Sequence, residues 1–155
     1  MAIDDAINQV KTALSNIPYF ANLDITLIET IAQHMKVQHY DTGQVVFLEG
    51  GPDVALYIVR TGWLKAVKTS PDGREQVLRF LDAGEIFNEV GVLAKRPNPA
   101  TAVALEESGI WLIPRHALEE VVLKYPQTAL QIIGNMADKI IELVTLAADL
   151  TLKTV

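Results

Sequence analysis

Between Val37 and Ile113 the chain is punctuated by turn signals at intervals that suit short strands: Asp41-Thr42-Gly43, Gly50-Gly51-Pro52-Asp53, Thr61-Gly62, Pro71-Asp72-Gly73, Asp82-Ala83-Gly84 and Ser108-Gly109. Glycine, Asp and Asn tolerate the positive φ that tight strand connections need. The segments between these signals, 37–40, 45–48, 56–59, 63–67, 76–80, 101–105 and 110–113, read as strands. About eight short strands at such spacing predict an antiparallel sandwich or barrel.

The flanks have a helical rhythm. Ile3, Ile7, Val10 and Leu14 make one apolar stripe, and Ile28, Ile31, Ala32 and Met35 another. Pro18 breaks the first helix, and Asp24 is a plausible N-cap for the second. After the strands, 116–124 is a short helix, Pro126 restarts the chain, and 127–155 reads as one long amphipathic helix. Ile133, Ile140 and Ala147 repeat every seven residues, as do Met136, Leu143 and Leu150. This is the a/d seam of a helix pair. Leu130, Ala137 and Val144 widen it. One stripe suffices to pack a helix on one surface. Two adjoining stripes predict contact with the helix's own barrel and with a second surface, most economically a second copy of the chain. The alternative is a helix packed only on its own domain. The expected organisation is a body over 1–125 and a dimerisation helix over 126–155.

The chain has 155 residues, enough for one domain with its own core. Half of them are hydrophobic, which excludes overall disorder. There are no cysteines, so disulfides, thiolate metal sites and cysteine nucleophiles are excluded. The 13 Lys and Arg face 19 Asp and Glu, a net charge of −6, and no basic block exists. Phosphate contacts dominate DNA affinity, so these residues are not expected to grip DNA by themselves. The first ten residues lack a signal peptide's basic start and apolar run, and no uncharged stretch is long enough to span a membrane.

Several segments, in order, resemble a cyclic-nucleotide-binding domain. They are Pro18-Tyr19-Phe20 with Leu23, Tyr40-Asp41-Thr42-Gly43-Gln44-Val45-Val46-Phe47, Glu49-Gly50-Gly51-Pro52-Asp53, and Leu56-Tyr57-Ile58-Val59-Arg60-Thr61-Gly62. Asp72-Gly73-Arg74-Glu75, Gly84-Glu85-Ile86-Phe87-Asn88-Glu89 and Ala100-Thr101-Ala102-Val103-Ala104-Leu105-Glu106 continue the series. The long last helix is similar to the dimerisation helix of the CRP/FNR family of bacterial transcription regulators. The resemblance implies a mostly β fold with flanking helices: a double-stranded β-helix, or jelly-roll, of about eight strands. It implies a cytoplasmic homodimer paired through residues 127–155. It also implies a helix-turn-helix domain following the long helix, through which alone DNA would be contacted, with Val155 near the hinge. The chain then reads as a sensor half.

The resemblance also implies a pocket. A short loop and helix after Ile86 would aim backbone amides inward, as anion sites do. In the family the Glu of a Phe-Gly-Glu motif holds the ribose hydroxyl; Glu89, after Phe87 and Asn88 and before Val90, matches it. Its other reading is a carboxylate favoured by the helix dipole alone. An Arg followed by Ser or Thr normally clamps the cyclic phosphate, because guanidinium supplies charge and bidentate geometry. Here Asn98 and Pro99 stand before Ala100 and Thr101, with no Arg and no hydroxyl. Asn88 replaces the usual glycine. Leu143 and Val144 occupy the dimer-helix positions expected to meet the base, in place of Thr or Ser. Lys95 and Arg96 are either substitute anchors or solvated charges at a loop tip. The expected cofactor is therefore an unidentified small-molecule effector; a cyclic nucleotide stays open although its phosphate-anchoring Arg is missing.

Other functions compete. A cupin-type metal enzyme needs His-x-His on a strand, and His34, His39 and His116 lack that spacing. With no nucleophile elbow and no P-loop either, no enzyme is expected. A haem-based gas sensor would use His39 or His116. A third alternative is a ligand-free dimerisation module with a degenerate pocket.

Overall fold

The structure, a computed structural model, describes residues 2–16, 22, 24–51 and 55–153, with the side chains of residues 2–4, 6, 89 and 90 outside that description. The expected roles of Pro18, Tyr19, Phe20, Leu23, Pro52 and Asp53 fall outside the described residues. Two helices open the chain, α1 (Ala2–Ser15) and α2 (Ile25–Ala32). Asp24 caps α2 as expected, its Oδ1 accepting from the Thr26 amide at 3.0 Å.

Eight strands follow: β1 (Lys36–Tyr40), β2 (Val45–Phe47), β3 (Ala55–Thr61), β4 (Trp63–Thr69), β5 (Glu75–Asp82), β6 (Ile86–Phe87), β7 (Thr101–Ala104) and β8 (Ser108–Pro114), with α3 (Glu89–Ala94) between β6 and β7. They form two four-stranded antiparallel sheets, ordered β1-β8-β3-β6 and β2-β7-β4-β5. β1 pairs with β8, β2 with β7, β3 with β6 and β4 with β5. The chain is thus one doubled ribbon rolled upon itself, the jelly-roll the sequence led us to expect. The fold of the ribbon lies at Ser70–Arg74, where the Ser70 amide donates to the Arg74 carbonyl at 2.8 Å and the Gly73 amide to the Ser70 carbonyl at 2.9 Å.

β3 explains the unbroken apolar run Leu56–Tyr57–Ile58–Val59. Its two faces enter two different cores. Leu56 and Ile58 pack with Val10, Leu14, Ile28, Ile31, Trp111 and Ile113 beneath the helices. Tyr57 and Val59 pack with Leu64, Leu81, Phe87, Ala102 and Ile110 inside the roll.

Two details depart from the sequence reading. Ser108-Gly109 is not the turn before β8 but its first two residues, paired with Tyr40 and His39. Packing demands small residues there: Ser108 Oγ accepts from the Trp63 amide at 3.2 Å, and the Gly109 amide donates to Thr61 Oγ1 at 3.1 Å. Gly62 faces Ser108 with φ +103°, and a methyl group on it would overlap Ser108 Cα and Cβ. The other departure is β6, two residues long, which is not among the strands expected from the sequence.

The chain closes with α4 (Arg115–Lys124) and α5 (Pro126–Lys153). Pro126 is the first residue of α5, where its missing N–H removes nothing. Thr128 and Ile132 are the buried residues of α5, and Met136 packs against the helix-side core. From Ile140 to Lys153 every residue is exposed. The expectation that α5 lies along its own barrel therefore holds only for its first turns. Ile140, Ile141, Leu143, Val144, Leu146 and Leu150 are each more than half exposed.

Candidate functional site

A cavity of about 200 Å³ lies where β4 and β5 face β6, α3 and the start of β7, lined by Phe47, Ala66, Leu78, Arg79, Phe87, Asn88, Gly91, Pro99 and Ala100. Its aromatic wall is a cluster. Phe87 stacks on Tyr57 at 5.2 Å between centroids, and Phe47 lies 4.8 Å from Tyr57 and 5.8 Å from Phe87. Phe47 also lines a second, wider hollow of about 710 Å³ with Gln38, Tyr40, Leu48, Tyr57 and Asn98. There the Tyr40 hydroxyl donates to Gln38 Oε1 at 2.5 Å, and burial raises the phenol above its ordinary pKa of 10.0.

Asn88 lines the smaller cavity and is bonded to a second amide behind it, Asn98. Asn88 has left-handed backbone (φ 69°, ψ 20°), a region Asn enters more readily than most residues. Its Nδ2 donates to the Ala55 carbonyl at 2.9 Å and to Asn98 Oδ1 at 3.1 Å. Asn98 is 3% exposed and donates from Nδ2 to the Leu48 carbonyl at 3.4 Å. Its backbone is tied as well, the Gly50 amide donating to the Asn98 carbonyl at 2.8 Å and the Asn98 amide to the Gly51 carbonyl at 3.2 Å. These bonds leave one buried acceptor, Asn88 Oδ1, with no donor. It lies against Gly91, where a methyl group would overlap it.

α3 is a short helix bracketed by left-handed residues, Asn88 before it and Lys95 (φ 56°) after it. Its last carbonyls are held from α4. Arg115 Nη1 donates to the Val92 carbonyl and, at 3.4 Å, to that of Leu93, while Arg115 Nε donates to Glu119 Oε1 at 2.8 Å. Across the cavity Arg79 is engaged by Glu85, Nη2 to Oε2 at 2.8 Å.

Of the residues singled out from sequence, Phe87, Asn88, Pro99 and Ala100 line the cavity together. Asn98 sits directly behind Asn88. Thr101 turns elsewhere: its Oγ1 accepts from the Glu49 amide at 2.8 Å. The side chains of Glu89 and Val90 lie outside the described residues. Leu143 and Val144 are on the free half of α5, 52% and 62% exposed, and do not line this cavity. Lys95 and Arg96 are exposed and also absent from its lining. Sequence reasoning missed Phe47, Ala66, Leu78, Arg79 and Gly91. A register shift between Ala66 and Val67 brings Leu78 and Arg79, neighbours in the chain, to one cavity, which plain strand alternation does not anticipate.

The histidines are placed apart from the cavity. His34 Nε2 is 2.6 Å from Glu120 Oε2, and its ring meets that of His116 edge-on at 5.2 Å. Among the described residues no three of His, Asp and Glu are grouped to hold a metal ion, and no helix is long and apolar enough to cross a membrane.

Residues 37–125, from β1 to the end of α4, match the model of the cyclic nucleotide-binding domain. The chain belongs to that family. The domain is 25% identical over 121 residues to the CRP-like cAMP-activated global transcriptional regulator of Mycobacterium tuberculosis, covering 78% of this chain and 54% of that one. It is 26% identical over 133 residues to human patatin-like phospholipase domain-containing protein 6, covering 81% of this chain and 10% of that one. The domain thus spans about half of the regulator and a tenth of the phospholipase-domain protein. Among solved structures it resembles the N-terminal domain of a transcriptional regulator from Streptomyces coelicolor A3(2), with a TM-score of 0.76 and 27% identity, covering 87% of this chain and 94% of that one.

The residues present lack the cation expected to clamp the phosphate of the family's ligand. Where the resemblance implies a phosphate-clamping Arg, the domain buries the uncharged Asn98 in hydrogen bonds to its own chain. The cation that lines the cavity, Arg79, is already paired. An anion desolvated without a partner is strongly disfavoured.

Proposed function

We propose that this domain senses a small effector in the cavity between β4, β5, β6 and α3, and passes the change to a homodimer formed through α5. In this reading it is the regulatory part of a CRP/FNR-type transcription regulator, and DNA is contacted by residues beyond this chain. The observation that carries the reading is the apolar face of α5: Ile133, Ile140, Leu143 and Leu150 are 59%, 61%, 52% and 56% exposed on one helix. A stripe of that size on a folded body marks an interaction surface. Its seven-residue repeat suits a second copy of the same helix.

The mechanism is a population shift. Arg115 on α4 holds the last carbonyls of α3, and α4 leads through Tyr125 into α5. A ligand that moves α3 therefore acts on the element that carries α5. The role is binding rather than catalysis: the cavity lining is mainly apolar, with one paired Arg and one amide turned back on the chain.

The test is Leu143→Lys with Leu150→Lys, followed by sedimentation equilibrium. The double variant should be monomeric with unchanged thermal stability of the body; a variant that remains dimeric refutes the helix seam. A ligand of the cavity should raise the melting temperature in proportion to RT ln(1 + [L]/Kd). A ligand that binds without altering the dimer leaves a binding module that is not a sensor.

A further inference from the structure

We infer that Asn88 and Asn98 form a latch that ties the start of α3 to the chain between β2 and β3, and that the domain rests with this latch closed. Withdrawing the Asn88 carboxamide opens it. The inference goes beyond the proposed function by naming the contact that a switch through α3 must break. It rests on that reading only in taking α3 as the element that moves.

Three observations converge on it. The first is where the bonds go. Asn98 is 3% exposed and grips the other loop with its backbone: the Gly50 amide donates to its carbonyl at 2.8 Å, and its own amide donates to the Gly51 carbonyl at 3.2 Å. Its Nδ2 adds a bond to the Leu48 carbonyl at 3.4 Å. Asn88 Nδ2 then donates to Asn98 Oδ1 at 3.1 Å and to the Ala55 carbonyl at 2.9 Å. The residue that begins α3 is thus tied to Ala55 directly, and to residues 48–51 through Asn98.

The second is that the closed state gives up a helix cap. An N-cap residue normally has extended backbone, and its side-chain oxygen accepts from an amide of the first turn. Asn88 is left-handed and makes no such bond, and its Oδ1 is buried without a donor. A carboxamide withdrawn to the extended conformation returns Oδ1 to the Val90 or Gly91 amide. The two arrangements exchange hydrogen bonds rather than lose them, which keeps the gap between them small enough for a switch.

The third is Gly91. Its φ is not positive, so its backbone does not call for glycine, and alanine is the better helix former. The three nearest atoms that a methyl group there would meet all belong to the Asn88 carboxamide. The missing side chain is the seat in which the closed latch lies. The far end of α3 is held separately, by Arg115 on the Val92 and Leu93 carbonyls. An open latch therefore frees the start of α3 and leaves its end attached to α4.

The experiment is amide hydrogen exchange, read by NMR on the full chain without ligand. The Gly50 and Asn98 amides report the latch. The Val59 and Leu105 amides, bonded to the Glu85 and Trp63 carbonyls, report the roll. Gly91→Ala wedges the carboxamide out and should speed exchange at Gly50 and Asn98 about ten-fold, with Val59 and Leu105 unchanged. Asn88→Gly keeps the left-handed backbone, removes the carboxamide and should do the same. Gly91→Ala added to Asn88→Gly should bring no further acceleration, because the obstacle is gone. Unchanged exchange at Gly50 and Asn98, equal acceleration at all four amides, or a further acceleration in the double variant each overturns the latch. Should Gly91→Ala not fold, Asn88→Gly alone decides by the same two pairs of amides. These readouts need neither ligand nor dimer: a latch that opens as expected in a chain that stays monomeric removes the sensor reading and keeps this one.

Discussion

Arg79 and Glu85 face each other at 2.8 Å, six residues apart, one on β5 beside the cavity and the other in the turn that leads to β6. Glu85 Oε1 also accepts from the Asp82 amide at 3.4 Å, so the same carboxylate braces the β5–β6 connection. Both side chains are well exposed, 47% and 39%, and such pairs contribute about 0–1 kcal/mol to stability. Their effect is expected on selectivity instead. Glu85→Gln frees the guanidinium, and 4-fluorobenzoate should then bind more tightly than to the native chain by fluorine NMR. The melting temperature should fall by no more than about 4 °C. An unchanged affinity for the anion would show that Arg79 does not control access by charge.

The two halves of α5 should respond differently to truncation. Ile132 is buried against the helix-side core, and Ile132→Ala should cost about 2–5 kcal/mol in urea unfolding at any protein concentration. Ile140 is 61% exposed in the single chain, so Ile140→Ala should leave that figure nearly unchanged when the chain is dilute. It should instead weaken dimerisation in sedimentation equilibrium. Equal, concentration-independent losses for both would contradict a free seam.

Gly62 is replaceable on neither of two counts. Its φ of +103° is strained for any side chain, and Ser108 occupies the space a methyl group needs. Gly62→Ala is expected to destabilise by more than about 1 kcal/mol in chemical denaturation. Ser108→Ala should not rescue it, because Cα and Cβ of residue 108 are themselves in the way. Full rescue would place the cost in the hydroxyl contact alone.

The central turn carries the one clear acid-side signature. The Ser70 hydroxyl and then the Arg74 guanidinium hold the Asp72 carboxyl below its ordinary range, so the ionised form is favoured in the folded chain. A depressed folded pKa contributes stability above the unfolded value, near 3.8 to 3.9, and loses it as the pH falls through the folded value. Thermal unfolding of Asp72→Asn should therefore show a small deficit at neutral pH that narrows below about pH 4 and vanishes in stronger acid. A deficit constant down to pH 2 would assign it to geometry rather than charge.

Much of the roll is legible in the residues because turn chemistry and side-chain alternation are local. The glycines after β1 and β4, at Gly43 and Gly73, sit at positive φ as tight turns require. The continuous apolar run of β3 is readable as a strand buried on both faces. Ser108-Gly109 misleads for the opposite reason: small residues mark close approach as well as turns, and only the neighbouring strands distinguish the two. The cavity was half legible. Phe87, Asn88, Pro99 and Ala100 come from one stretch that the resemblance marks. Phe47, Ala66, Leu78 and Arg79 come from three other strands, and a register shift brings the last two in, which no local pattern encodes. The amphipathic period of α5 announces two contact surfaces but not that a single chain covers so little of them.

The doubled ribbon also sets an order of assembly. Its nearest pair in sequence, β4 with β5, closes across the Ser70–Arg74 turn, while its most distant pair, β1 with β8, joins Lys36 to Leu112. Loop-closure entropy favours zipping from the near end to the far one, and non-local pairings of this kind fold slowly. α4 follows β8 directly and packs on α2, which precedes β1. The seat of α5 is thus among the last surfaces to be built. A chain whose roll is unfinished has nowhere to anchor the helix, so the pairing proposed above would be reserved for molecules that have already folded.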